Sequence, residues 1–221
     1  MESSLLADEI ALKIKAGIQN GVYRQNDRLT VRKLCEEYGV SDTPVKQALN
    51  QLVATGVAVA IPRCGIKVKS FSKSDMRNTW MARLMIEREA VHYAIEAARC
   101  DERFVRTLRA LLEQTDREYS NCISDFTKEN FSMLSDHDFA LHKAIVGSIG
   151  NPIITKMYED LRAHECMFVG FDVHSPSTLA LTIEQHDAIA DACISGDEEG
   201  MLKAVEDHIS TTIRLYRVEE F

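Results

Sequence analysis

Apolar residues recur at helical spacing along nearly the whole chain, with one interruption near the start. Over residues 5–20, Leu5, Leu6, Ile10, Ile14 and Ile18 fall about one turn apart, and Gly21 follows where a helix would stop. Val31 to Tyr38 predicts a second, shorter helix closed by Gly39. After Gly39-Val-Ser41 a third begins, with Ser41 or Asp42 as N-cap and Pro44 in its first turn, and it runs through Val45, Ala48, Leu49 and Leu52. The period then drops to two. Val57-Ala-Val-Ala-Ile61 and Ile66-Lys-Val-Lys69 read as short strands joined by the turn Pro62-Arg-Cys-Gly65.

Three helices and a hairpin predict a winged helix-turn-helix over residues 1–72. Strand signals end there. Ser72-Lys-Ser-Asp75 reads as a polar linker and cap, and helical periodicity continues over 73–221 with breaks near 99–101, 121–125, 150–152, 170–176 and 195–197. That pattern predicts about six helices of two to six turns packed as a bundle, so the fold class is mainly α, with two domains.

Composition narrows the picture. The 221 residues are 45% hydrophobic, enough to bury a sizeable core. No apolar run approaches 18 residues and Met1-Glu-Ser-Ser does not open a signal peptide, which predicts a cytoplasmic protein with no membrane segment. The six cysteines are scattered without a Cys-x-x-Cys pair, which suits reduced core thiols rather than a disulfide framework or zinc knuckle. The net charge of −8 is uneven. Residues 1–72 hold ten Lys/Arg against seven Asp/Glu, whereas the rest hold sixteen against twenty-seven. A basic head on an acidic body points to a local nucleic-acid surface.

In a helix-turn-helix, the N-terminal exposed residues of the second helix of the motif meet base edges, and nearby cations meet phosphates. Here the exposed early positions are Ser41, Asp42, Thr43, Lys46 and Gln47. Arg32 precedes them, and Arg63 and Lys67 on the hairpin reach backbone or minor groove in this reading. The bland alternative is a set of solvated residues on a three-helix scaffold.

All seven histidines lie outside the head. Leu134, Asp138, Leu141, His142, Ile145 and Ile149 share one helical stripe, so Asp138 and His142 face inward one turn apart. His186 faces inward with Leu179, Ile183, Ile189 and Cys193, and His208 with Met201, Ala204, Val205 and Leu215. Any one of these is ordinarily a packed core histidine. Three imidazoles and a carboxylate at matching inward positions predict a divalent metal ion, Zn²⁺ or Ni²⁺ first, with Mn²⁺ or Fe²⁺ also compatible. Arg83 and Glu87 share a stripe with Trp80, Val91, Ala94 and Ala98. They read either as an internal i,i+4 ion pair or with Arg83 as anchor for an anionic effector. His164, on a face with Met157, Leu161 and Phe168, reads as packed or as a second effector-binding residue; His92, His137 and His174 read as surface or loop residues.

The run from Leu29 to Leu49, with Val40-Ser-Asp-Thr-Pro-Val-Lys-Gln-Ala-Leu49 at its core, followed by Pro62-Arg-Cys-Gly65, resembles the head of GntR-type regulators. The family's common form is Val-Ser-Arg-Thr-Pro-Val-Arg-Glu-Ala-Leu. Asp42 therefore stands where the family usually has a base-contacting Arg and Lys46 where a second Arg is usual, and neither reproduces the bidentate fork of Arg, so the resemblance implies an operator unlike the family's usual one. The second domain resembles the FCD effector domain of the FadR branch. The resemblance rests on Asp138-Phe-Ala-Leu-His142 with Gly150-Asn-Pro152, Glu184-Gln-His186 with Gly196-Asp197, and His208. It implies a homodimer that binds operator DNA, and a metal held by the matching Asp and three His beneath a small carboxylate or sugar-acid effector. Two rivals stay open: a metal-responsive regulator using the same residues, and a metal-dependent hydrolase. Against the enzyme, there is no His-Glu-x-x-His base, no nucleophile elbow and no Gly-rich phosphate loop.

Overall fold

A computed structural model describes residues 2–161 and 170–218. The chain divides into two compact units, Met1–Ser70 and Phe71–Phe221.

The first unit runs α1 (Glu2–Gln19), β1 (Arg28–Leu29), α2 (Val31–Tyr38), α3 (Asp42–Ala54), β2 (Ala58–Ile61) and β3 (Gly65–Val68). The three strands form an antiparallel sheet in the order β1-β3-β2. The two-residue β1 is too short to show a period, which is why the pattern predicts only two strands. Thr30 caps α2 by accepting from the Lys33 amide, and Gly39 ends it in the left-handed region at φ 67°, where a side chain would be strained. This turn sets α3 against α1 and α2. Ile10, Ile14, Leu34, Val45, Ala48, Leu49, Leu52 and Val68 close the core. The buried stripe of α1 is Ala7, Ile10 and Ile14, while Leu5 and Leu6 are exposed, because a run of adjacent leucines cannot all lie on one helical face.

The second unit is helical: α4 (Lys73–Cys100), α5 (Glu102–Ser124), α6 (Lys128–Gly147), α7 (Pro152–Leu161), a 3₁₀ turn (Phe171–Val173), α8 (Pro176–Ser195) and α9 (Glu198–Leu215). Ser72 and Asp75 form a reciprocal capping box that starts α4, as the linker pattern predicts. At 28 residues α4 exceeds the six turns expected, since its Arg83-Glu87 step holds charges that do not interrupt the helix. Helix α4 packs on α6, α7 and α9, and α5 on α6 and α8, so inward residues of α4, α5, α6, α8 and α9 meet in one interior. Of the cysteines, Cys122 and Cys193 are core thiols, but Cys35 is half-buried and Cys64 and Cys100 are exposed; Cys166 lies outside the described residues. No described helix is long and apolar enough to cross a membrane.

Candidate metal centre and nucleic-acid interface

The steps of three and four along α6, α8 and α9 turn four ligand-type side chains into the bundle. Asp138, His142, His186 and His208 are all buried, and each offers a ligand atom within 4.8 Å of the others'. His142 Nε2 lies 3.2 Å from His186 Nε2, and His186 Nε2 lies 3.2 Å from Asp138 Oδ1. The His142 and His208 rings stack at 4.9 Å.

The surroundings fix which nitrogens face inward. His142 Nδ1 lies 2.8 Å from Glu87 Oε2, so it carries the proton and donates outward, leaving a lone pair on Nε2. His208 Nδ1 lies 3.3 Å from Gln185 Oε1 and follows the same logic. Two imidazole lone pairs and a carboxylate oxygen thus converge around His186 Nε2, a donor set that fits a divalent cation.

The electrostatics agree. Burial would raise the Asp138 carboxyl, but the His186 hydrogen bond and the Arg83 charge outweigh it and hold Asp138 well below the usual carboxylate range. Burial likewise opposes ionisation of Glu87, and Arg83, His142 and Tyr158 overcome it. Burial lowers His208, helped by His186 and His142, and burial with the Arg83 charge lowers His142; both rings are held neutral, as ligation requires.

Arg83 sits between the two carboxylates. Its Nε donates to Glu87 Oε1 at 2.6 Å and its Nη1 lies 3.5 Å from Asp138 Oδ2, with the side chain 3% exposed. The internal ion pair anticipated from the stripe is therefore formed, and it is fully buried. Nη2 nevertheless has no hydrogen-bond partner among the described residues. His164 lies outside the described residues.

Sequence reasoning missed several neighbours. The Tyr158 hydroxyl donates to Glu87 Oε1 at 2.7 Å and Tyr119 to Asp138 Oδ1 at 3.2 Å. Tyr119 was findable, since it shares a face of α5 with Thr115 and Cys122. Of the histidines read as surface or loop, only His92 is exposed; His137 and His174 are half-buried. The His174 ring packs 4.8 Å from Phe131 and its Nε2 lies 3.2 Å from the Tyr216 hydroxyl. A histidine in a short turn between breaks gives no periodicity from which to read burial.

In the first unit Ser41, Asp42, Thr43 and Lys46 are exposed at the start of α3, Arg32 is exposed on α2 and Arg63 at the hairpin tip, and Lys67 is half-buried on β3. Arg28 donates to the Cys64 carbonyl at 2.6 and 3.1 Å, tying that tip to β1. Two of the cations are engaged within the chain: Lys46 Nζ lies 3.1 Å from Asp42 Oδ2, and Arg32 Nε 3.0 Å from Glu36 Oε1. The Lys46 and Cys35 contacts hold the Asp42 carboxyl below its ordinary value.

The FCD domain family matches residues 78–211, and the family of bacterial regulatory proteins named gntR matches residues 6–68. The chain belongs to the GntR family and carries an FCD domain. It is 25% identical over 207 residues to the transcriptional repressor GlaR of Escherichia coli, covering 90% of each chain. It is 28% identical over 113 residues to the regulator YdhC of Bacillus subtilis, where the match spans about half of each chain. Its fold is shared with the McbR/YncC structure of E. coli, with a TM-score of 0.67 at 21% identity, over 96% of this chain and 97% of that one. A GntR regulator structure from Rhodococcus gives 0.70 at 16% identity, over 97% and 99%. The chain is accordingly a transcriptional regulator, and the families and relatives it matches are regulators rather than enzymes.

Proposed function

We propose that this regulator's grip on operator DNA is set by a small anionic metabolite, a carboxylate or sugar acid, bound beside a divalent cation in the FCD domain. The carrying observation is the buried convergence of Asp138, His142, His186 and His208, with the outer nitrogens of two imidazoles already engaged. Those four residues hold the ion, Zn²⁺ or Ni²⁺ by the nitrogen-rich donor set. A bound ion of this kind supplies Lewis acidity toward an oxygen-donor ligand. Arg83 turns Nη2 toward the same anion while Glu87 and Asp138 fix its plane. Two copies of the chain form a homodimer in the cytoplasm and present two heads to operator DNA. Ser41, Asp42, Thr43 and Lys46 face bases, and Arg32, Arg63 and Lys67 face the backbone. The effector works by binding one arrangement of the dimer more tightly than another, and only that difference shifts DNA affinity.

Operator binding measured by anisotropy separates the readings. Chelated protein is titrated with Zn²⁺ or Ni²⁺ alone, and then with carboxylates. A response to carboxylate on metal-loaded protein supports the effector reading, and a full response to cation alone assigns a metal-responsive regulator instead. Purified protein without stoichiometric metal, whose melting temperature is unmoved by added cation, overturns the site.

A further inference from the structure

We propose that Asp116 is the positioning residue of the third imidazole: its Oδ1 accepts, directly or across one water, the hydrogen bond that His186 Nδ1 donates when Nε2 faces the cation. The inference rests on the cation reading above and assigns a side chain beyond its four ligands.

Metal-ligating imidazoles are held from behind by an acceptor at their outer nitrogen. Glu87 serves His142 in this way and Gln185 serves His208. His186 is 0% exposed, yet its Nδ1 has no hydrogen-bond partner among the described residues. Asp116 Oδ1 is in the same condition, sealed from solvent and without a partner, although the residue as a whole is half-buried. Buried polar atoms nearly always find a partner, so two orphans of complementary character on packed helices call for one explanation.

The helices bring the two together. Helix α5 packs on α8, and Tyr119, three residues beyond Asp116 and so its neighbour on the next turn, sets its ring 5.9 Å from that of His186, edge to face. The same tyrosine donates to Asp138, so this side of α5 already lies over the ligands. Burial and the neighbouring Asp187 push the Asp116 carboxyl up, and the nearby His186 acts against them. Asp187 follows His186 directly in the chain and leaves α8 about 100° away from it, which makes Asp116 the better-placed acceptor. A half-buried carboxylate beside another carboxylate does not favour folding by itself. Its removal should therefore weaken the cation site without weakening the metal-free fold, a pair of effects that a merely structural residue would not give.

Full-length protein is stripped of metal, titrated with Zn²⁺ against a chromophoric chelator, and separately unfolded in urea with chelator present. Asp116→Leu, close in size but without an acceptor, weakens Zn²⁺ binding about tenfold or more and leaves the metal-free midpoint no lower than the parent's. Asp116→Asn supplies an amide oxygen of the kind Gln185 gives His208, and recovers most of that loss. Asp187→Asn removes the neighbouring charge but not the acceptor, and binds Zn²⁺ like the parent. Undiminished Zn²⁺ affinity in Asp116→Leu, equal losses in Asp116→Asn and Asp116→Leu, a comparable loss in Asp187→Asn, or a lowered metal-free midpoint in both Asp116 variants overturns the proposal with the cation site intact. A parent protein that takes up no stoichiometric Zn²⁺ overturns the site itself.

Discussion

The two units each place an acidic and a basic residue four positions apart on a helix, and use the pair in opposite ways. Asp42 and Lys46 on α3 are 66% and 60% exposed, whereas Arg83 and Glu87 on α4 are 3% and 0% exposed. In water such a pair exchanges partners freely, so the head keeps its charges available to an outside polyanion. In the interior the same pair is bound to its geometry, because either member alone is an uncompensated buried charge. The same four-residue step therefore leaves a solvated pair in one unit and a buried, geometrically fixed pair in the other.

The largest expected effect comes from breaking the buried pair. Arg83→Met leaves Glu87 and Asp138 without their cation and should lower stability in urea by about 3 to 5 kcal/mol, while Asp42→Asn leaves the unfolding midpoint unmoved. Equal midpoints for the two variants would dissolve the contrast.

Next is the response to acid. Burial lowers His174 from 6.5 to about 4, so between those values the unfolded chain takes up a proton that the folded chain refuses. The stability this ring contributes, about 3 kcal/mol, is fully present above pH 6.5 and is lost as pH falls toward 4. Burial lowers His142 and His208 as well, so acid that protonates them adds to the loss of stability. His174→Gln should flatten the curve of unfolding free energy against pH by up to one proton.

Removing the cation comes third. A chelator should cost about 2.7 kcal/mol relative to protein held at a hundredfold excess of Zn²⁺ over its Kd, read by calorimetric melting. Asp42→Asn should leave that shift unchanged, because the exposed pair takes no part in it.

The smallest effect belongs to the head. Asp42→Asn removes an anion beside the duplex and releases Lys46 from its ion pair, so one more protein charge neutralises the DNA and the slope of log K against log salt should steepen by about one unit. An unchanged slope would mean that Lys46 already escapes Asp42 on the duplex.

Much of this was legible without coordinates. The four inward ligand residues followed from steps of three and four alone, as did the burial of Arg83 and Glu87, and the capping box at Ser72 was visible as a linker. Other features had no local signature. Strand β1 is two residues long, Leu5 and Leu6 look as apolar as the residues that are buried, and His174 sits in a turn. Glu87 was placed on the correct stripe, but its contact with His142 joins residues 55 apart and leaves no periodic trace.

By itself, then, the sequence determined the helix-and-hairpin head, the helical second unit, the charge difference between them and the face on which each ligand-type residue lies. All of these depend on neighbours within a turn or two, where backbone geometry fixes direction. Only the tertiary structure decided that Glu87 and Gln185 orient two imidazoles, that Tyr158 and Tyr119 hold the carboxylates, and that Trp80, Tyr216 and His174 form one wall. Those meetings depend on how helices from distant parts of the chain cross, which is set by packing of the whole core rather than by any local period.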